Sequence, residues 1–140
     1  MQNAVDIFRE FLESFPDKRE KSIDMLHEDA VMTVPYQPEH FPNRFVGRAE
    51  IAPIFMMAPA LYRNFRWLTL ECYSTNDPTL CFALASSEAG LADGSRYKNS
   101  YAMVGRIVDG KVVEFIEFLD PREVTAAVVK EWVALKTAGG

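Results

Sequence analysis

The stretch YKNSYAMVGRIVDGKVVEFIEFLD, residues 97–120, decides the fold of this chain. Its two halves are rich in aromatic and β-branched residues. They are joined by Asp109-Gly110, and an Asp-Gly pair between apolar runs is the strongest short-range signal of a β-hairpin. The second half carries one acid, Glu117, between large apolar residues. Whether this acid has a function depends on which face of the predicted sheet it occupies.

The length of the hairpin turn decides that face. A two-residue turn at Asp109-Gly110 places Glu117 opposite Ala102. A three-residue loop that also includes Val108 places Glu117 opposite Tyr101. The two possibilities differ by one residue in register, and such a shift moves a side chain to the other face.

We favour the three-residue loop, because it places Arg106 and Glu114 as oppositely charged neighbours on one face. The other face is then largely apolar and contains Glu117 together with Tyr97, Asn99, Tyr101, Met103, Phe115 and Leu119.

The rest of the chain predicts segregated helices and strands, which indicates an α+β fold. Apolar residues at three- and four-residue spacing predict a first helix, and the prolines of residues 36–45 predict a loop. We expect a curved antiparallel sheet, a cone-shaped barrel, wrapped around three N-terminal and mid-chain helices and followed by a C-terminal helix. Such a sheet leaves an open end where a pocket can form. The predicted helices cover 3–15, 17–27, 47–62 and a last one that begins at Asp120, and the predicted strands cover 29–35, 66–74, 80–89 and the two halves of the hairpin.

The composition is that of an ordinary globular domain, 49% hydrophobic and 25% charged, and the 140 residues fit one domain over 1–140. The net charge is -5 and no basic cluster is present, so we expect no nucleic-acid partner. No apolar run reaches membrane-spanning length, so we expect no membrane partner, and the acidic N-terminus is unlike a secretory signal, so a cytoplasmic location is the default. Cys72 and Cys81 would lie side by side across a tight turn, which makes a disulfide conceivable, although reduced thiols are favoured in such a compartment.

Several motifs resemble the nuclear-transport-factor-2-like superfamily, which is also called SnoaL-like or ketosteroid-isomerase-like. They are FVGRAEI (45–51) and DGKVVEFIEFLDP (109–121). NDP (76–78), Glu88 and DGSRYKN (93–99) resemble the phenazine-biosynthesis A/B group within it most. The resemblance covers almost the whole chain and implies a single cystatin-like domain with a hydrophobic pocket, of a kind used in secondary metabolism.

The family's known reactions do not transfer with the fold. Where ketosteroid isomerase has its catalytic aspartates, this chain looks to have Val34 and Met103, so isomerisation of steroids by that mechanism is not expected. The histidines of the phenazine group are also absent. The carboxylate that remains on the last strand is Glu117.

A carboxylate among tyrosine, methionine and phenylalanine side chains is poorly solvated, so its pKa rises and it can act as a general acid or base. We therefore predict Glu117 as the catalytic residue, with Tyr101 and Asn99 as polar partners. The alternative is that Glu117 pairs with a buried tyrosine or arginine. The other predicted substrate-binding residues are Tyr36, Met56, Trp67, Met103 and Phe115, and the 36–45 loop is either the rim of the pocket or a plug on the core.

The sequence thus leads to a hypothesis of a cofactor-independent isomerase, cyclase or condensing-type protein that acts on a small, largely apolar metabolite. The alternatives are a binding protein with the same pocket and no chemistry, or an interaction module. We expect no cofactor and no metal, since His27 and His40 lack the neighbours of a metal site. The outer face of the sheet, with Val104, Ile116 and Phe118, needs cover, so we expect a homodimer packed through the sheets.

Overall fold

The computed structural model describes residues 2–39 and 41–138, so His40 of the 36–45 loop lies outside the described residues. Within these ranges the chain forms four α-helices and six strands. No described helix is both long enough and apolar enough to cross a membrane. The elements in chain order are α1 (Ala4–Glu13), α2 (Arg19–Asp24), β1 (Leu26–Thr33), β2 (Arg44–Val46), α3 (Arg48–Leu61), β3 (Arg63–Ser74), β4 (Leu80–Gly90), β5 (Arg96–Val108), β6 (Lys111–Leu119), a 3₁₀ turn (Pro121–Glu123) and α4 (Ala126–Ala138).

The six strands form one curved, unclosed sheet in the order β2-β1-β6-β5-β4-β3. Neighbouring strands are antiparallel except for β1 and β6, which run parallel. Helix α1 packs across β3, β4 and β5, while α3 packs against β1 and contacts α4. The predicted α+β fold, a curved sheet around helices with a C-terminal helix, is confirmed.

Helix α1 approaches the sheet closely because β5 has a glycine under it. Phe8 and Phe11 of α1 are fully buried. A Cβ atom on Gly105 would lie 2.5 Å from the ring of Phe8, well inside contact distance. The missing side chain therefore lets the aromatic face of α1 settle into the concave side of the sheet.

The hairpin turn has two residues, not the three that we predicted. Val108 pairs directly with Lys111, and Asp109-Gly110 forms the turn between them. Both turn residues have positive φ, 51° for Asp109 and 79° for Gly110. This is the conformation of the two-residue turns that match the twist of antiparallel strands, and Asp-Gly sequences favour it.

A β-bulge after the turn then sets the face of Glu117. Pairing resumes with Arg106 opposite Glu114, so β6 has one more residue than β5 in this segment. Glu117 lies opposite Met103, and the predicted partner Tyr101 lies opposite Leu119 instead. The predicted register is therefore wrong, but the bulge brings Glu117 to the inner face that we expected, because it corrects the register by one residue.

Two predicted helix starts differ from the structure. Helix α2 begins at Arg19 rather than at the predicted Asp17, and no side chain caps it. Asp120 does act as a cap, since its carboxylate accepts a hydrogen bond from the Arg122 amide at 3.0 Å. It caps the 3₁₀ turn, however, and α4 begins only at Ala126.

Strand β4 shows that the outer face of the sheet is exposed to solvent in the single chain. Its inward residues Cys81, Ala83 and Ala85 are buried, while the outward-facing Leu84 is 46% exposed. Cys81 lies opposite Ser74 rather than Cys72, and both cysteines are free thiols. The two sulfurs are therefore on diagonal rather than directly paired positions.

Candidate functional site

A cavity of about 150 Å³ lies between the concave face of the sheet and helices α1, α3 and α4. Its wall is predominantly aromatic, as is typical of small-molecule sites. The aromatic lining residues are Phe11, Phe15, Phe41, Phe45, Phe55, Phe65, Phe115, Tyr62, Tyr97, Tyr101, Trp67 and Trp132.

Among the described residues that line the cavity, Glu117 is the one that carries a carboxylate. Burial among apolar groups raises the pKa of Glu117 from 4.5 to about 7, and burial is the sole cause of the shift. No described residue neutralises it by a hydrogen bond or an ion pair. Glu117 can therefore exist in both protonation states near neutral pH, which is what a general acid or base requires.

A chain of hydroxyl groups lies beside this carboxylate. The Asn99 amide donates to the Tyr97 hydroxyl at 2.8 Å, the Tyr97 and Tyr101 hydroxyls are 3.2 Å apart, and Tyr101 lies 2.8 Å from the Ser87 hydroxyl. The ring of Tyr62 packs at a tilt against that of Tyr97 with centroids 4.3 Å apart. All of these phenols are buried deeply enough to raise their pKa values, so they remain neutral hydrogen-bond donors.

The negative charge of Glu117 also raises the pKa of Tyr101, second in effect to burial. The same charge adds to the elevated pKa values of Tyr62 and Tyr97. The carboxylate and the three hydroxyls therefore share one electrostatic environment. Negative charge that develops on a bound molecule here would meet phenol protons rather than cations.

Asn99, which does not itself line the cavity, holds the chain of hydroxyl groups in position. Its Oδ1 accepts hydrogen bonds from the backbone amides of Ser100 and Asp120, both at 2.8 Å. Its Nδ2 donates to Tyr97 and to the carbonyl of Asp120. Asn99 is buried but does not line the cavity, so the structure places it as a support for Tyr97 rather than as the predicted contact with substrate.

Four predicted wall residues line the cavity together with Glu117. The indole Nε1 of Trp67 donates to the carbonyls of Leu12 and Phe15, at 3.1 and 3.2 Å, so the polar atom of Trp67 is committed to the end of α1. The ring of Trp67 is therefore the part of this side chain that is available to contact a ligand. The four residues are Tyr101, Met103, Phe115 and Trp67.

Two other predicted wall residues lie elsewhere. Tyr36 is 56% exposed, and its ring contacts Phe118 on the outer face of the sheet, with centroids 5.4 Å apart. Met56 is 43% exposed, and its neighbour Met57 lines the cavity instead. Successive residues of a helix point about 100° apart, so an apolar run cannot by itself show which methionine faces inward.

The 36–45 loop forms part of the cavity wall through residues that the sequence analysis did not single out as a site. Gln37, Phe41 and Phe45 line the cavity, and the ring of Phe41 packs at a tilt against Trp132 of α4 with centroids 4.5 Å apart. The loop and α4 thus close one side of the cavity together. In an irregular loop the side chains follow no repeating pattern, so the sequence does not show which of them face inward. The aromatic content of the loop was the one sign that it covers an apolar surface.

Among the described residues, no group of three histidine, cysteine, aspartate or glutamate side chains is close enough to hold a metal ion. The arrangement that the site does offer is a carboxylate, three phenols and an aromatic wall. These groups can move a proton and donate hydrogen bonds to an oxygen atom.

Comparison with known proteins shows which fold this chain shares. No protein-family model matches the sequence. The chain is 24% identical over 140 residues to the uncharacterised protein YesE of Bacillus subtilis, a match that covers 99% of this chain and 95% of the relative. Its structure is similar to that of a candidate isomerase from Bacillus subtilis, with a TM-score of 0.78 and 26% identity over 89% of this chain and 91% of the other.

Two further solved structures have the same architecture at lower identity. A phenazine biosynthesis-related protein from Pseudomonas aeruginosa has a TM-score of 0.78 and 14% identity over 90% of this chain and 84% of the other. A candidate polyketide cyclase from Xanthomonas campestris has a TM-score of 0.76 and 18% identity over 89% and 96%. Other similar structures are NTF2-like proteins. The chain therefore has the fold of the NTF2-like, or SnoaL-like, superfamily.

Proposed function

We propose that this protein is a cofactor-independent isomerase or cyclase that acts on a small, largely apolar metabolite, with Glu117 as the general acid and base. The observation that carries the proposal is the Glu117 carboxylate itself, which lies in an aromatic cavity without a neutralising partner and has a pKa of about 7. The similar structures described as a candidate isomerase and a candidate polyketide cyclase support this class of reaction.

The proposed step is proton transfer next to a carbonyl group. Ionised Glu117 takes a proton from the carbon beside the carbonyl, and the electron pair of the broken C–H bond moves toward the carbonyl oxygen. The protonated acid then returns the proton to another carbon or to the oxygen. No electron is gained or lost overall, so the step requires no oxidant or reductant.

The hydroxyl chain supplies a donor for the developing oxyanion. Asn99 already donates to Tyr97, so the protons of Tyr97, Tyr101 and Ser87 remain to serve the two hydroxyl–hydroxyl contacts. Three protons serve two contacts, so one proton remains, and where it belongs to Tyr97 or Tyr101, which line the cavity, it can be donated to an oxygen atom there. Such a preorganised donor is worth most where water is excluded.

The test is deuterium exchange into a panel of small cyclic ketones, followed by proton NMR in D₂O. We expect the wild-type protein to accelerate exchange beside the carbonyl of at least one ketone. Glu117→Gln should slow that exchange by about 10²-fold or more, the usual contribution of a general base. Tyr36→Phe, which changes a hydroxyl outside the cavity, should leave the rate unchanged. Exchange that survives in Glu117→Gln would remove Glu117 as the base.

A second candidate function is ligand binding without chemistry. Among the described lining residues, no second carboxylate and no imidazole accompanies Glu117. The lack of a second acid or base favours ligand binding without chemistry. The same NMR samples separate the two functions. A binding protein would show line broadening of a ketone without deuterium incorporation in any member of the panel.

We also propose that the outer face of the sheet packs against a second copy of the chain. Leu84 and Tyr73 are 46% and 43% exposed there, beside the half-buried Val104, Ile116 and Phe118. An apolar surface of this kind on one sheet face favours association. Light scattering should give the mass of a dimer for the wild-type protein and of a monomer for Leu84→Glu. A monomeric wild-type protein would refute the proposal.

A further inference from the structure

A second polar side chain in the cavity wall lacks a partner. The Oε1 atom of Gln37 is buried and accepts no hydrogen bond, and Gln37 lines the same cavity as Glu117. Among the described residues, one other buried side-chain atom shares this condition, Nε of Arg19, which does not line the cavity. A buried polar atom without a partner loses its hydration and gains no hydrogen bond in return, so it destabilises the folded protein. Such a cost at a cavity wall indicates that something other than the chain completes the hydrogen bond.

The backbone around Gln37 is held in place, so the position from which its side chain leaves the loop is fixed. The amide N–H of Gln37 donates to the carbonyl of Val34 at 3.2 Å, and the N–H of Phe41 donates to the carbonyl of Pro38 at 3.0 Å. The N–H of Val34 in turn donates to the carbonyl of Asn43 at 2.8 Å. The loop is therefore tied on both sides of Gln37, and its amide is presented to the cavity wall.

The charge around the cavity limits the ligand. No lysine or arginine is among the described lining residues, and Glu117 is the acid that lines it. An anionic molecule would meet this carboxylate and no cation to compensate for the loss of its hydration. A neutral ring would meet aromatic walls, and a hydrogen-bond donor on that ring would meet the free acceptor of Gln37.

We infer that Gln37 is a ligand-binding residue of this cavity, and that the ligand is a neutral ring that carries a hydroxyl or N–H donor, of the phenol or enol class. The inference rests on the proposed function in that it concerns the same cavity. The volume of about 150 Å³ suits a single ring, since an apolar cavity of about that size holds benzene. Rotation of the amide exchanges its oxygen and nitrogen, so Gln37 can also donate to an oxygen of such a ligand.

The test measures the affinity of three probes of similar size, phenol, toluene and benzoate, by calorimetric titration. The variants are Gln37→Leu, which keeps the bulk and removes the amide, and Tyr36→Phe as a control in the same loop. Gln37→Leu should weaken phenol relative to toluene by about 2- to 12-fold, the value of one hydrogen bond. Tyr36→Phe should not change this ratio. Gln37→Leu should fold, because it removes a buried atom that has no partner.

We expect wild-type protein to bind phenol and to reject benzoate at concentrations where phenol saturates the cavity. A phenol-to-toluene ratio that is the same in wild type and Gln37→Leu would overturn the assignment of Gln37. Binding of benzoate as tight as that of phenol, or binding of none of the three probes, would overturn the ligand class. Failure of the deuterium exchange leaves the phenol ratio measurable, so this inference and the proposed function can fail separately.

Discussion

The replacement of Glu117 by glutamine tests the physical basis of the site without any knowledge of the substrate. The pKa of Glu117 is about 7 in the folded protein and 4.5 ordinarily. Between these values the folded protein keeps the proton while the unfolded chain loses it. The stability of the wild-type protein therefore falls as pH rises from about 4.5 to about 7. Glutamine cannot ionise, so Glu117→Gln escapes this loss.

The size of the effect follows from the two pKa values. A difference of one pKa unit corresponds to about 1.4 kcal/mol, so the interval from 4.5 to about 7 corresponds to about 3 kcal/mol. The free energy of unfolding of Glu117→Gln minus that of wild type should be about 3 kcal/mol larger above pH 7 than below pH 4.5. The change is toward greater stability of the variant at high pH, because an isolated charge in an aromatic cavity opposes folding.

Urea unfolding at several pH values from about 3.5 to about 8.5 measures this difference. Glu88→Gln is the matched control, because hydrogen bonds and charge from Arg66 and Arg96 lower the pKa of Glu88. The stability that Glu88 contributes is lost only as pH falls through its lowered pKa, so the difference between Glu88→Gln and wild type should stay constant above about pH 4.5 and change, with the opposite sign, only below it. A Glu117→Gln difference that does not change with pH would show that the carboxylate is solvated or paired, and the reasoning for the site would be refuted.

The remaining predictions concern the framework of the cavity. Gly105→Ala should destabilise the protein by about 1–3 kcal/mol in urea unfolding, because its Cβ would lie 2.5 Å from the ring of Phe8; an unchanged midpoint would mean that α1 moves freely over the sheet. Asn99→Leu should destabilise the protein by about 2 kcal/mol or more, since it leaves the backbone amide of Asp120 without its acceptor and removes the amide donor to the Tyr97 hydroxyl. It should also reduce ketone exchange without affecting the pH dependence described for Glu117. A variant as stable as wild type would contradict the supporting role of Asn99.

The wall of the cavity shows the limit of sequence analysis. The period of two within β6 could assign Phe115 to the same face as Glu117, whereas Met103 of β5 shares that face only through the register of the two strands. Tyr36 and Met56 were assigned by residue type alone, and both lie outside. Gln37 carried no pattern at all, because its role depends on where an irregular loop folds back.

The sequence by itself determined the hairpin at Asp109-Gly110, because only a few residues tolerate the positive φ values that its turn requires. It also determined the α+β fold, through periodicities that depend on local geometry. Only the tertiary structure decided the register. The bulge between Arg106 and Ile107 lets β5 and β6 present their apolar residues together on the concave face under α1, and this is a property of the packed sheet rather than of either strand. That one extra residue directs Glu117 into the cavity.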